Sequence, residues 1–174
     1  MSARTKPAQI EKRVNSDCKQ RWAFCSMSVM TLERAQELAQ ELMRRHKLPP
    51  EWSFAFDRSK VRFGKCNYGK RQISLSKHLV ELNSEEEVRD TILHEIAHAL
   101  APRGAGHGPV WQSLALSIGC NGRRCYGQQV VRPAAKHRGT CPSCRSVIHR
   151  HRRAVIACGK CTDVFDPKYL FVWS

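Results

Sequence analysis

The sequence SEEEVRDTILHEIAHAL, residues 84–100, reads as one helix from end to end. Ser84 with Glu87 three residues later makes a capping-box pattern, and glutamates fill the first turn, where the helix dipole favours negative charge. Val88, Ile92, Ile96 and Leu100 recur at helical spacing, and Pro102 stops the run. Inside it His94 and His98 stand four residues apart, so both imidazoles leave one helical face and can reach a common point. Two imidazoles so spaced suit a zinc ion. Glu95, beside them but off the ligand face, is placed to take a proton from an attacking water. Composition yields about 0.02 chance occurrences of His-Glu-x-x-His in this chain, so the remaining bland reading is a histidine pair that merely packs or faces solvent.

A catalytic zinc site keeps three protein ligands and one open position. The run Gly104, Ala105, Gly106, His107, Gly108 allows a sharp return after the helix, which makes His107 the third candidate; its plain alternative is a loop histidine. His107 falls nine residues after His98. The metzincin pattern puts its third histidine six after the second, with a glycine where Ala101 stands here, so this is not an ordinary metzincin.

Outward from this helix, residues 1–28 carry six Lys or Arg against two acids with no lasting periodicity, and read as a flexible basic arm. An amphipathic helix is expected from about Thr31 to His46, with Thr31 as N-cap, Leu32, Ala35, Leu38, Ala39 and Leu42 on one face, and Pro49 and Pro50 as its stop. Trp52, Phe54 and Phe56, then Val61 and Phe63, then Ile73 and Leu75 alternate with polar positions, and Gly64 and Gly69 break the runs. This pattern predicts a small antiparallel sheet. A further short helix is expected over 110–118, closed by Gly119.

Cys141 and Cys144, then Cys158 and Cys161, form two C-x2-C pairs separated by thirteen residues, the spacing of a four-cysteine zinc ribbon. So short a tail has little core of its own, so a structural zinc at these four thiols would hold it folded. Cys18, Cys25, Cys66, Cys120 and Cys125 make no complete ligand set and read as buried thiols. His46, His78, His137, His149 and His151 likewise lack partners at ligand spacing.

The formal charge is +15, and between Glu95 and Asp163 there is no acidic residue while eleven Lys and Arg occur. One-signed charge of this extent points to a polyanion, with Arg145, Arg150, Arg152, Arg153 and Lys160 of the ribbon as candidate phosphate contacts. Tyr169, Phe171 and Trp173 alternate near the C-terminus, either as a stacking face for single strands or as ribbon packing. No run reaches the roughly 18 apolar residues of a membrane helix, and residues 1–28 hold no signal-peptide segment. The expectation is a soluble intracellular monomer, in cytoplasm or nucleoid, or in the nucleus of a eukaryote.

HEIAHAL followed by GHGPVW, preceded by RQISLS and the aromatic strands, resembles the SprT-like zinc metalloproteases, the group that includes Spartan. The similarity runs from about Thr31 to Gly119 and continues into the C-terminal cysteines. It implies a catalytic zinc on His94, His98 and His107, a general base at Glu95, and hydrolysis of proteins bound or crosslinked to DNA. The expected fold is α+β: a zincin-like minimal metalloprotease domain, helices on a small antiparallel sheet, then a small β zinc ribbon. The expected boundaries are 1–28, 29–126 and 127–174. Arg103 and Tyr126 are candidates for polarising the substrate carbonyl. Two other readings stay open: a non-catalytic, zinc-stabilised nucleic-acid-binding regulatory protein, and a zinc peptidase indifferent to nucleic acid.

Overall fold

The computed structural model describes residues 30–125 and 129–174. The basic arm at 1–28, Cys18, Cys25 and Tyr126 lie outside the described residues. Helix α1 spans Leu32–Arg45, with the Thr31 hydroxyl accepting the Arg34 N–H at 3.2 Å, and it buries Ala35, Leu38, Ala39, Leu42 and Met43. Its stop is local and comes before the prolines. Lys47 adopts φ +54°, its N–H donates to the Arg44 carbonyl, and the Leu48 N–H donates to the Met43 carbonyl at 2.9 Å, the paired bonds of a Schellman end.

Strands β1 (Ser53–Asp57), β2 (Gly64–Asn67) and β3 (Gln72–Ser76) form a sheet in the order β1-β3-β2. Pairing of β2 with β3 is antiparallel, but β1 and β3 run parallel, with Phe54 opposite Ile73 and Phe56 opposite Leu75. The expectation of an antiparallel sheet is therefore corrected for one of the two pairs. Alternation reports which residues face the core, not strand direction, and the chain between β1 and β3 is long enough for the crossover that parallel pairing needs. Val61 and Phe63 precede β2 rather than forming a strand, and Gly64 starts β2 instead of breaking it.

A single turn of helix, α2 (Lys77–Val80), follows directly from β3 and has no periodic signature in the sequence. Helix α3, Glu85–Leu100, is capped by the Ser84 hydroxyl, which accepts the Glu87 N–H. Every residue from Thr91 to Ala97 is buried, so α3 is the central helix, with α1 and α4 (Pro109–Ser117) packed on it and β2 and β3 beneath it. The core joins Leu38, Leu42, Phe63, Ile73, Leu75, Ile92, Ile96 and Trp111, and takes in Val130 from beyond α4. Asn83 fastens that segment: its side chain accepts the Val131 N–H at 2.7 Å and donates to the Val131 and Leu79 carbonyls.

The C-terminal segment is a second, antiparallel sheet, β4 (His137–Thr140), β5 (Val147–Arg150) and β6 (Val172–Trp173), in the order β5-β4-β6. Gly139 faces the Trp173 ring, where a Cβ would come within 3.0 Å, and the Trp173 indole N–H donates to the Ala154 carbonyl. Trp173 thus packs within the ribbon. The architecture is α+β: a helix-covered mixed sheet followed by a small antiparallel sheet holding four cysteines.

Candidate metal centres

Helical geometry brings His94 and His98 to one side of α3, and the following loop supplies the rest. Gly104 (φ +88°) and Gly106 (φ +55°) occupy the left-handed region that glycine tolerates, and two tight turns close on the Pro102 and Ala105 carbonyls. The chain thereby reverses. Gly108 then caps α4 and Pro109 opens it, which fixes His107 one residue outside the helix.

The result is a triangle of ring nitrogens. Nε2 of His94 lies 3.0 Å from Nε2 of His107 and 3.2 Å from that of His98, and the third side is 3.0 Å. Four-coordinate zinc with nitrogen ligands at about 2.0–2.1 Å needs nitrogens about 3.3 Å apart, close to what is found. Trp111 of α4 walls this triangle, its ring centroid 4.6–5.2 Å from all three imidazoles, stacked on His98 and edge-on to the others. Burial, and after it the neighbouring imidazoles, push His94 down to about 3 and His98 down to about 4, so both rings are neutral donors. Neutral imidazoles are the form a metal requires, and the donor set fits zinc.

Glu95 stands outside the ligand group. It is buried, and its carboxylate accepts the backbone N–H of Cys66 on β2. Burial pushes its pKa up to about 8, against the pull of that hydrogen bond. Gly64 makes room for it: a Cβ there would lie 2.5 Å from Glu95 Oε1 and 2.8 Å from its Cγ. Glu95 and His98, with Cys66, Tyr68, Gly104 and Gly106, line a cleft of about 380 Å³. Tyr68 donates to the His98 carbonyl at 2.7 Å, and Arg103 sits over the Tyr68 ring at 5.8 Å. Gly64, Cys66, Tyr68 and Trp111 were not legible as site residues. Their types are ordinary, and only chain folding sets them against the histidines.

The second group is Cys141, Cys144, Cys158 and Cys161, whose Sγ atoms all lie within 4.8 Å of one another. Cys141 and Cys161 are 3.8 Å apart and Cys144 and Cys158 3.6 Å, matching the spacing of about 3.8 Å that tetrahedral zinc with bonds of about 2.3 Å to sulfur requires. Among the described residues no further His, Cys, Asp or Glu group has metal-ligand geometry. The reading of the remaining cysteines as buried thiols holds for Cys120 and is corrected for the others described: Cys66 is half-buried and Cys125 is exposed. Arg145, Arg150, Arg152, Arg153 and Lys160 are all exposed: Arg145 in the first cysteine turn, Arg150 at the end of β5, Arg152 and Arg153 just after it, and Lys160 in the second turn. No helix among the described residues is long and apolar enough to cross a membrane.

No curated protein matches the chain. Among solved structures, the crystal structure of the metallopeptidase zymogen of Methanocaldococcus jannaschii jannalysin aligns with TM-score 0.43 and 18% identity, over 48% of this chain and 79% of that one. The SprT-like family matches residues 32–134, more than half of the sequence and all of the histidine site. With His94, His98 and His107 gathered at one point within that span, the chain belongs to the SprT-like family and is a metallopeptidase of that type.

Proposed function

We propose that the protein is a zinc-dependent endopeptidase acting on proteins bound or crosslinked to DNA, with a zinc ribbon supplying DNA binding. The observation that carries the peptidase chemistry is the convergence of three imidazoles, two from α3 and one from the loop before α4, beside a carboxyl group that is not among the ligands. His94, His98 and His107 hold the catalytic ion. When bound, zinc supplies Lewis acidity, lowering the pKa of a water to about 7 and polarising the scissile carbonyl.

The rest is the work of this chain's residues. The charge of a dication held by the three histidines would return Glu95 to its ionised form, and so, oriented by the Cys66 N–H and confined by Gly64, it receives the proton of the attacking water and passes it to the departing amine. Trp111 and the Tyr68 bond to the His98 carbonyl keep the imidazoles in place. Cys141, Cys144, Cys158 and Cys161 hold a structural zinc, a closed four-thiolate set. The DNA assignment rests on charge: an acid-free interval from Glu95 to Asp163, with the ribbon cations at its far end exposed.

The test is proteolysis of a histone-like substrate with and without single- and double-stranded DNA, comparing wild type with Glu95→Gln. The variant should keep its zinc and its DNA binding and lose at least 10²-fold in cleavage. Unchanged cleavage would sink the mechanism, and cleavage indifferent to DNA would leave a peptidase with another target.

A further inference from the structure

The loop after β1 is built as a rigid mount. Asp57 accepts the Ser59 N–H at 2.8 Å and pairs with Arg62 at 2.7 Å, while Ser59 Oγ accepts the N–H groups of Arg62 and Val61. Ser76 donates to the Ser59 carbonyl from β3. Held this way, the loop presents Arg58, Lys60 and Val61 to the segment leaving β5, which is itself fixed by Arg153 donating to His137 and by Trp173 donating to the Ala154 carbonyl.

Between the two lies a cleft of about 700 Å³, larger than the one beside Glu95. Four fixed cations line it, Arg58 and Lys60 from the metallopeptidase half and Arg150 and Arg152 from the ribbon, and no acidic residue does. Asp57, the nearest carboxylate in sequence, is already occupied by Arg62, Ser59 and Ser74. None of the four cations makes an ion pair among the described residues. His151 also lines the cleft, and its Nδ1, buried, has no hydrogen-bond partner there. Val61, 66% exposed, lies with Ala154 and Ile156 as apolar surface among the charges.

Unpaired cations facing one another across a concave gap repel until an anion fills it. Cations around apolar surface suit a ligand that alternates phosphates with flat bases. We propose that this cleft binds the phosphate backbone of a single-stranded nucleic acid, gripped jointly by Arg58 and Lys60 and by Arg150 and Arg152. The strand thereby ties the ribbon to the metallopeptidase half. A duplex is a convex cylinder that touches only the rim. The N-terminal arm, with six cations and two acids, is repelled from such a site. The proposal rests on the DNA-directed reading above and adds to it a contact surface on the metallopeptidase half itself.

The test is fluorescence anisotropy with a short oligothymidylate, on full-length protein carrying Glu95→Gln in every arm, so that binding is read without cleavage. Arg58→Glu with Lys60→Glu should weaken binding at least tenfold more than a matched reversal of Arg44 and Lys70, which lie outside the cleft. The milder Arg58→Gln with Lys60→Gln, safe against misfolding, should give an intermediate loss and a salt dependence shallower by about 1.4 in log–log slope. Photocrosslinking of an iodouracil strand should label peptides on both sides of the cleft. Equal loss in the control pair, labelling of the ribbon alone, or equal and equally sensitive binding of a hairpin duplex or of polyglutamate overturns the proposal. DNA-stimulated cleavage is a separate readout, so if it is absent while the cleft binds, the proteolytic reading fails and the site stands.

Discussion

Glu95 is buried, and its neighbours leave it little slack. Gly64 admits the carboxylate only because it lacks a Cβ. Gly64→Ala forces Glu95, 4% exposed and unable to swing away, or the α3 turn that carries it, to shift. The three histidines that would hold the metal are on the other face, so peptide hydrolysis is expected to fall about 10–100-fold at unchanged metal content, checked by kinetics beside elemental analysis. Asp57 illustrates a different balance. Burial raises its pKa, but the Ser59 N–H, Arg62 and Ser74 together outweigh burial and hold it below the ordinary carboxylate value. A depressed carboxyl pKa gives stability that is present above the unfolded value near ~3.9 and lost as pH falls through the folded one. Asp57→Asn should therefore destabilise by about 1–2 kcal/mol at neutral pH, and the gap should narrow below about pH 4. Urea unfolding with chelator throughout, so that metal loss is common to both proteins, checks this.

At the scale of elements, helix starts follow from single residues that the sequence displays, Thr31 and Ser84, because a cap is satisfied within three residues. Ends are less legible. The Schellman turn after α1 uses Lys47 at φ +54° where glycine is usual, so sequence points past it to the prolines. Lys47→Gly should remove the steric cost of that conformation and stabilise by about 0.5–1 kcal/mol, less than the full cost because glycine also loosens the unfolded chain. A rise in Tm of a few degrees would show it; a fall would mean that the Lys47 side chain supplies contacts beyond its backbone. Asn83 works between elements: two hydrogen bonds from its amide tie the turn before α3 to Val131 in the strand-free segment that leads to the ribbon, and a third holds it to the Leu79 carbonyl of α2.

At the scale of the whole molecule, two groups of metal donors serve two unequal cores. The metallopeptidase half has a core of its own, centred on α3, whereas the ribbon's buried residues include Cys141 and Cys158 themselves. A structural zinc, as proposed for these four thiols, contributes about 10–16 kcal/mol, and the ribbon's fold is expected to depend on it. Cys158→Ser is expected to halve the zinc content and unfold residues 137–174, while the spectrum of the α3 core is preserved, as followed by elemental analysis and NMR. What the sequence determined by itself was local. The face shared by His94 and His98, the caps and the two cysteine pairs depend on spacings of a turn or less, which helix and knuckle geometry fix without reference to the rest of the chain. The sequence also named His107, through the glycine-rich return; the tertiary structure decided what no such signal marked: the parallel register of β1 on β3, Gly64 and Cys66 against Glu95, and Arg58 and Lys60 facing the ribbon. Such contacts are chosen by packing between segments distant in sequence, and no local spacing encodes which of several compatible partners will be met.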